Sequence, residues 1–126
     1  MISLVSCLVA LAGLPAEAQQ KTRVSFARGK SSATVRGVVR GYSYRDHVVR
    51  VRGGQAITVR LSSPNTFMIF SIFDPDGLDI DGAVQTDQFV GTLTASGDHV
   101  IRVGLMRAEA RRRGSAAHYS LFISVR

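Results

Sequence analysis

Apolar residues recur at every second position over much of this chain, and this period-two pattern restricts the possible folds more than any other feature of the sequence. Residues 57–61 (ITVRL) and residues 119–125 (YSLFISV) alternate apolar with mostly polar side chains. Successive side chains of a β-strand point to opposite faces of its sheet, so such a pattern is typical of a strand with one buried face. The chain is therefore expected to fold mainly as β-sheet.

Further segments have the composition of strands and are separated by turn residues. They cover residues 33–40, 44–52, 89–94 and 99–106. Residues 95–98 (ASGD) are predicted to form a short hairpin connection between the last two of these. The almost wholly apolar segment 67–73 predicts a central strand covered on both faces, or a strand at a bend, followed by a tight turn at residues 74–77 (DPDG).

Short strands with turns about every eight to twelve residues predict an all-β fold, either a sandwich or a barrel. We favour a small antiparallel β-sandwich of about seven to eight strands. Only residues 106–112 have the composition of a short helical turn, and Gly114 would end it. The polar and basic segment 19–30 offers little to a core, so fraying is expected up to about Phe26.

The first eighteen residues have the pattern of a secretory signal peptide. Residues 2–14 are mostly apolar, and Pro15 and the small-residue site 16–18 (AEA) follow them. We predict cleavage after Ala18 and export of a single domain, residues 19–126, without a membrane span, because the apolar run is too short. No Lys or Arg precedes this run, which leaves open a start codon further upstream. Cys7 follows a lipobox-like LVS, so a lipid anchor on Cys7 is a minor alternative.

Charge and cysteine content narrow the functional classes. Cys7 is the only cysteine, so the domain that follows the signal has no thiol with which to form a disulfide. The formal charge of +7 becomes +8 when Glu17 is removed with the signal, and lysine occurs only at Lys21 and Lys30. An arginine-rich surface suits carboxylate or phosphate groups on a partner. Export makes nucleic acid an unfavoured partner.

Three groups of residues are candidates for binding. Arg107 and Arg111 would share one face of a helical turn, although arginine-rich connections are often merely solvated. Residues 96–98 (SGD) have the composition of a turn that needs no further role. Tyr42 and Tyr44 would lie on one side of an extended segment, as tyrosines do both at interfaces and at sandwich edges.

The sequence offers no positive sign of catalysis or of a metal site. The three histidines lack metal-ligand spacing. Residues 74–85 resemble a calcium loop, but Leu78 occupies a ligand position and Gln85 stands where the bidentate glutamate belongs. Nucleophile-elbow and phosphate-cradling motifs are also missing. We therefore expect neither an enzyme nor a cofactor, with an unrecognised hydrolase or metal-dependent enzyme as the least favoured reading.

Four motifs together resemble one known family. They are residues 26–42 (FARGKSSATVRGVVRGY), residues 96–98 (SGD), residues 105–112 (LMRAEARR) and residues 119–121 (YSL). In this combination the chain is similar to the bacterial periplasmic inhibitors of goose-type (g-type) lysozyme. The likeness extends from about residue 26 to residue 125.

This resemblance implies a β-sandwich that binds and occludes the substrate cleft of g-type lysozyme and so protects peptidoglycan in a Gram-negative periplasm. It also implies which residues contact the enzyme. The implied lysozyme-binding residues are Tyr42, Tyr44, Ser96, Gly97, Arg107 and Arg111, and His99 adjoins the predicted inhibitory turn. The oligomeric state is left open.

The chain departs from the family pattern at three histidines, His47, His99 and His118. The pattern has tyrosine at the first two positions and asparagine at the third. A histidine at position 99, next to the turn, leads to the hypothesis of pH-dependent inhibition. The alternative function is that of an envelope accessory domain that binds peptidoglycan or an acidic polysaccharide directly with the same basic surface.

Overall fold

The computed structural model of the protein describes residues 19–126; the predicted signal peptide and Cys7 lie outside these residues. The elements are eight strands and one helix. In chain order they are β1 Gln19–Arg23, β2 Ser32–Arg40, β3 Tyr44–Val51, β4 Ala56–Ser62, β5 Met68–Phe73, β6 Gln88–Thr92, β7 Gly97–Leu105, α1 Arg107–Ala110 and β8 Ala116–Val125. The predicted all-β class, with seven to eight strands and one short helical turn, is confirmed. None of the helices in this part of the chain is long and apolar enough to cross a bilayer.

The strands form two four-stranded sheets packed face to face. The front sheet has the order β1-β3-β7-β5, and the back sheet has the order β2-β8-β4-β6. All pairings are antiparallel except that of β1 with β3, which is parallel. Alternate residues of each strand face the other sheet and make the core. The fully buried members include Val49, Phe70, Ile72, Ile101, Val39, Ile57, Val59, Leu121 and Ile123.

The predicted hairpin at residues 95–98 is wrong. β6 lies in the back sheet and β7 in the front sheet, so this segment crosses from one sheet to the other. The crossing is closed by two backbone bonds at its start, in which Gly54 donates to the carbonyl of Leu93 and Leu93 donates to that of Gln55. The turn composition of residues 95–98 suits both a hairpin within one sheet and a crossing between two sheets. Glycine and aspartate favour a change of chain direction in either case.

Two further predictions about the strands also require correction. β5 is not central but is the last strand of the front sheet, and its outer edge is covered by the following loop. Phe70 and Thr86 exchange backbone bonds there, and Ile72 bonds with Ile80 and Ala83. The N-terminal segment, expected to fray, instead forms β1, and Val24 beyond it is buried. The loop beside β5 limits the exposed pairing groups at that edge of the sheet, and the short strand β1 forms the other edge.

Candidate functional site

The arginine segment forms one helical turn at the end of β7. Met106 accepts backbone bonds from Glu109 and Ala110, and Arg111 donates to the carbonyl of Arg107, so these two arginines stand one turn apart. Both side chains are exposed. Within residues 19–126, neither has an acidic group within salt-bridge distance. The structure therefore presents two unpaired guanidinium groups from one short, backbone-bonded segment.

Glu109 lies between these arginines in sequence but is turned away from them. Its side chain is buried, and its carboxylate accepts hydrogen bonds from Asn65 Nδ2 at 2.8 Å and from Arg112 Nη1 at 2.9 Å. The Asn65 bond, followed by the Arg112 bond, lowers the pKa of Glu109 below its ordinary value. The same Asn65 accepts the backbone N–H of Phe67 at 2.9 Å. Glu109 thus fastens α1 to the loop before β5 without neutralising Arg107 or Arg111.

Tyr42 lies in the turn between β2 and β3, next to the segment that follows α1. Gly41 takes a positive φ of 54° and donates to the carbonyl of Ser115 at 2.9 Å, which ties the turn to that segment. Tyr42 is 67% exposed. The prediction that Tyr42 and Tyr44 share an extended segment is wrong, because only Tyr44 belongs to a strand. Tyr44 is half-buried, and its ring lies 4.0 Å below the guanidinium of Arg102.

Ser96 and Gly97 lie at the opposite end of the molecule, where β7 begins. The hydroxyl of Ser96 accepts the backbone N–H of Gly53 at 2.8 Å, and Gly97 has a φ of 133° and packs beside Pro75. A Cβ at Gly97 would meet Pro75 Cγ at 3.0 Å, so the position suits glycine. Eight residue steps of about 3.4 Å separate the two ends of β7, roughly 27 Å. The candidate contacts therefore fall into two groups at opposite ends of one strand.

Asp98, which follows this turn, is part of an ion-pair cluster on the front sheet. Arg23 donates to both of its carboxylate oxygens, at 3.1 and 2.8 Å, and Arg50 lies 3.6 Å away. The hydrogen bonds from Arg23, the larger cause, and the charges of both arginines lower the pKa of Asp98. Asp98 therefore fixes β1 to β7 and is already occupied by cations of its own chain.

The histidines are placed differently from what the sequence suggests. His99 has 0% exposure, its Nδ1 lies 3.2 Å from the carbonyl of Gly97, and its Nε2 has no hydrogen-bond partner among residues 19–126. The prediction that His99 belongs to the contact surface is wrong, because a side chain without accessible surface cannot touch a lysozyme. His47 is also buried, whereas His118 is exposed on β8. A pH effect on inhibition therefore cannot come from direct contact by His99 or His47.

The aspartate-rich segment after β5 is a turn held by its own backbone. Asp74 Oδ1 accepts the N–H groups of Asp76 and Leu78, each at 2.9 Å, and Gly77 donates to the carbonyl of Asp74. The predicted tight turn is confirmed. In the part of the chain that the structure describes, no group of three or more His, Cys, Asp or Glu side chains is arranged to hold a metal ion.

Two exposed apolar residues beside the arginine segment were not singled out from the sequence. Phe67 is 47% exposed and Met106 41%, and Met106 donates to the carbonyl of Phe67. A groove of about 480 Å³ opens beside them, lined in part by Phe67, Glu109 and His118. We name Tyr42, Arg107, Arg111, Phe67 and Met106 the arginine end. The sequence alone did not predict that Phe67 belongs to the arginine end, because its contact with Met106 joins segments about forty residues apart.

A small two-sheet sandwich with unpaired arginines and exposed apolar side chains at one end defines a binding module that presents its side chains to a partner. No family model matches the chain, and no curated protein sequence does either. Solved structures do match it. It is similar to Aeromonas hydrophila PliG, a periplasmic lysozyme inhibitor of g-type lysozyme, with 30% identity and a TM-score of 0.74 over 86% of this chain and 97% of that one.

Two further structures agree. Salmonella Typhimurium PliG, also a periplasmic inhibitor of g-type lysozyme, is 32% identical with a TM-score of 0.69 over 85% of this chain and 98% of its own. A mutant of the Escherichia coli inhibitor is 27% identical with a TM-score of 0.66 over 86% and 98%. The chain belongs to the PliG family of periplasmic inhibitors of g-type lysozyme.

Proposed function

We propose that this protein is a periplasmic inhibitor of g-type lysozyme, a binding module that performs no catalysis and needs no cofactor. The observation that carries the proposal is the similarity to PliG structures over 97% and 98% of their length at 30% and 32% identity. The similarity therefore extends over nearly the whole length of these inhibitors. The alternative of direct peptidoglycan binding as the main function has no comparable support.

The arginine end is the proposed centre of the contact. The guanidinium groups of Arg107 and Arg111 form no salt bridge with an acidic group of residues 19–126, so they are available to a carboxylate of the enzyme. Lysozymes cleave glycosidic bonds with a carboxyl group in the cleft, and a guanidinium fork binds a carboxylate with two parallel hydrogen bonds. Tyr42 would supply the amphipathic contact area that is enriched at interface centres. Inhibition would then combine occlusion of the cleft with charge pairing.

Ser96 and Gly97 would contribute less than the arginine end. A standard interface of about 800 Å² on each partner is roughly 30 Å across, so two groups roughly 27 Å apart cannot both lie near its centre. The acceptor lone pair of Ser96 that faces Gly53 is already in use. Ser96 and Gly97 remain proposed contacts at the rim, where a substitution changes affinity little.

The test is a peptidoglycan-lysis assay with goose-type, hen-type and invertebrate-type lysozymes. We expect selective inhibition of the goose-type enzyme. Arg107→Ala and Arg111→Ala should each raise the inhibition constant by the equivalent of about 2 to 5 kcal/mol, because each leaves a buried charge of the partner unpaired. Arg113→Ala is the matched control: it removes one exposed arginine of the same segment and should mainly change the salt dependence of the association rate.

Each outcome discriminates. Failure to inhibit any of the three enzymes would refute the proposed function. Inhibition that Ser96→Ala weakens more than Arg107→Ala would move the centre of the contact to the other end of β7. Binding to enzyme-free peptidoglycan without inhibition would favour the accessory-domain alternative.

A further inference from the structure

The two outer faces of the sandwich differ in how their charges are balanced. On the front sheet, Asp46 pairs with Arg102 at 2.8 Å, and Asp98 pairs with Arg23 at 2.8 Å. On the back sheet, the outward positions of β2, β4, β6 and β8 include no aspartate or glutamate. Those positions carry arginines at Arg36, Arg40 and Arg60 instead, all exposed. The net positive charge of the protein is therefore uncompensated on one sheet face.

The cross-strand register groups these arginines with hydroxyl side chains. Arg36 is level with Ser120 on β8, and Ser120 is level with Ser62 on β4. In the neighbouring row, Thr34 and Arg60 flank Phe122. Arg36 and Arg60 thus stand on opposite sides of β8, on strands that are roughly 10 Å apart at about 4.8 Å per strand spacing. We name Thr34, Arg36, Arg60, Ser62 and Ser120 the back-sheet patch.

Arg60 is held in place on this patch. Its guanidinium lies 4.9 Å from the ring centroid of Phe122, so the side chain is directed across the sheet by a cation–π contact. A depression of about 370 Å³ adjoins it, lined in part by Thr58, Phe122 and Ser124. A guanidinium that is already oriented loses less conformational freedom when it binds an anion. Arg60 lines this depression together with Thr58 and Ser124, so an oriented cation and two hydroxyl groups border a concave surface at one side of the patch.

We propose that the back-sheet patch binds the phosphate groups of a phosphorylated polysaccharide, independently of the inhibition of lysozyme. A guanidinium fork binds two oxygens of a phosphate, and hydroxyl groups on the adjacent strands can donate to its remaining oxygens. A carboxylate has only two oxygens and so offers no acceptor to these hydroxyl groups once the fork is bound. The same hydroxyls can bond to sugar hydroxyls between the phosphates. The outward strand positions of this face carry arginines and no acid, although exposed Asp87 lies near Ser62 at the rim, so the charge of the face favours a polyanion as the partner.

A lipid surface fits this face less well than a sugar polymer does. Binding in a bilayer interface requires a row of apolar side chains to insert, and among the outward residues of the back sheet Val90 alone is a strongly exposed large hydrophobic, at 73%. The patch is instead made of hydroxyl and guanidinium groups, which match a hydrated polymer.

The test is a binding titration of the full-length mature protein with phosphorylated mannan, with unphosphorylated mannan as the reference polymer. We expect binding to the phosphorylated polymer only. Arg36→Ser/Arg60→Ser should weaken it at least tenfold and reduce its salt dependence. The matched control Arg50→Ser/Arg52→Ser removes two exposed arginines outside the patch and should change the affinity less than twofold. Inhibition of g-type lysozyme, measured in parallel, should be the same in both double variants and in the wild type.

The possible results separate the patch from general basicity. Equal weakening by both double variants would overturn the proposal, because net charge alone would then account for binding. Equal binding of the two mannans would overturn it as well, since phosphate would not be recognised. Binding to phosphatidylglycerol vesicles but not to phosphorylated mannan would refute it in favour of a lipid surface. Loss of inhibition without loss of mannan binding would concern only the proposed inhibitory function.

Discussion

The hydroxyl oxygen of Tyr119 lies 2.6 Å from Nε2 of His47, and this buried hydrogen bond joins the two sheets through the core. The rings meet edge to face, with centroids 5.8 Å apart. Gly37, level with Tyr119 on β2, makes room for the ring, because a Cβ there would stand 2.6 Å from the hydroxyl oxygen. Burial raises the pKa of Tyr119 to about 12, so the phenol stays neutral and either donates to Nε2 or accepts from it, according to the tautomer of His47.

Stability should fall with acidity because of His47. Burial, aided by the charge of Arg45, lowers the pKa of His47 from 6.5 to about 4. His47 takes up a proton near pH 6.5 in the unfolded chain but only near pH 4 in the folded chain. The stability associated with neutral His47 is therefore complete above about pH 6.5 and is lost as the pH falls toward 4. We expect the free energy of unfolding to drop by about 2 kcal/mol between pH 7.5 and 5.

Urea titrations at pH 7.5, 6.5, 5.5 and 5.0 measure this drop. The control is His47→Phe, which should be less stable at neutral pH and should lose less stability than the wild type over the same range. His118→Ala, an exposed histidine, should keep the wild-type slope. Parallel pH profiles of the wild type and His47→Phe would show that another group causes the acid sensitivity.

Tyr119→Phe should destabilise the protein by about 1 to 3 kcal/mol, although it removes only one oxygen. The substitution leaves Nε2 of buried His47 without a partner, and an unsatisfied buried polar atom costs more than the hydrogen bond contributes. Tyr42→Phe makes the same chemical change at an exposed site and should stay within about 0.5 kcal/mol of the wild type. Equal stability of the two variants in urea would mean that water takes the place of the hydroxyl in the core.

Much of the fold is predictable from the sequence because alternation of side chains is a local property of a strand. The pattern of residues 57–61 and 119–125 gave two strands whose inward residues are those expected. The partition into sheets is not local. β6 and β7 are separated by a turn that would suit a hairpin, yet they do not pair with each other. β6 pairs with β4 in the back sheet, and β7 pairs with β3 and β5 in the front sheet. Alternation is the same in either sheet, so the choice depends on the whole core.

The candidate site was only partly predictable, for a related reason. The exposure of Arg107, Arg111 and Tyr42 could be inferred from their charge or from the neighbouring turn glycine. The burial of His99 could not be inferred, since a histidine beside a turn is usually exposed. His99 is buried because it occupies a position of β7 whose side chain faces the core. The bond between Asn65 and Glu109 joins segments 44 residues apart and leaves no pattern in the sequence.

Asn65→Ala should weaken inhibition while the protein remains folded. Asn65 donates to Glu109 at 2.8 Å and accepts from the N–H of Phe67 at 2.9 Å, so its loss frees α1 from the loop before β5. We expect an inhibition constant roughly tenfold higher, equivalent to about 1.4 kcal/mol, and a Tm lower by roughly 5 °C. Ser63→Ala is the control in the same loop, because the Ser63 hydroxyl bonds to Asn65 N and to the carbonyl of His118 but not to α1.

A lower Tm for both variants with unchanged inhibition would contradict this positioning role. A loss of inhibition in Ser63→Ala as large as in Asn65→Ala would show that the loop as a whole is needed and not its bond to Glu109. Circular dichroism of each variant separates either result from unfolding.

Tyr42 and Tyr44 should respond to alanine in opposite ways, although they are two residues apart. Tyr42 is 67% exposed in its turn, so Tyr42→Ala should keep the free energy of unfolding within about 0.5 kcal/mol of the wild type. It should weaken inhibition by about 2 kcal/mol or more, as expected for a ring at the centre of the contact.

Tyr44 is half-buried beneath Arg102, whose guanidinium lies 4.0 Å from its ring and is bonded to buried Asp46. Tyr44→Ala removes this stacking and its packing, so it should lower the free energy of unfolding by about 2 kcal/mol and affect inhibition less. Urea unfolding and the lysis assay on the same preparations decide; a larger loss of inhibition from Tyr44→Ala would place the contact on the front sheet beside Arg102 and away from the arginine end.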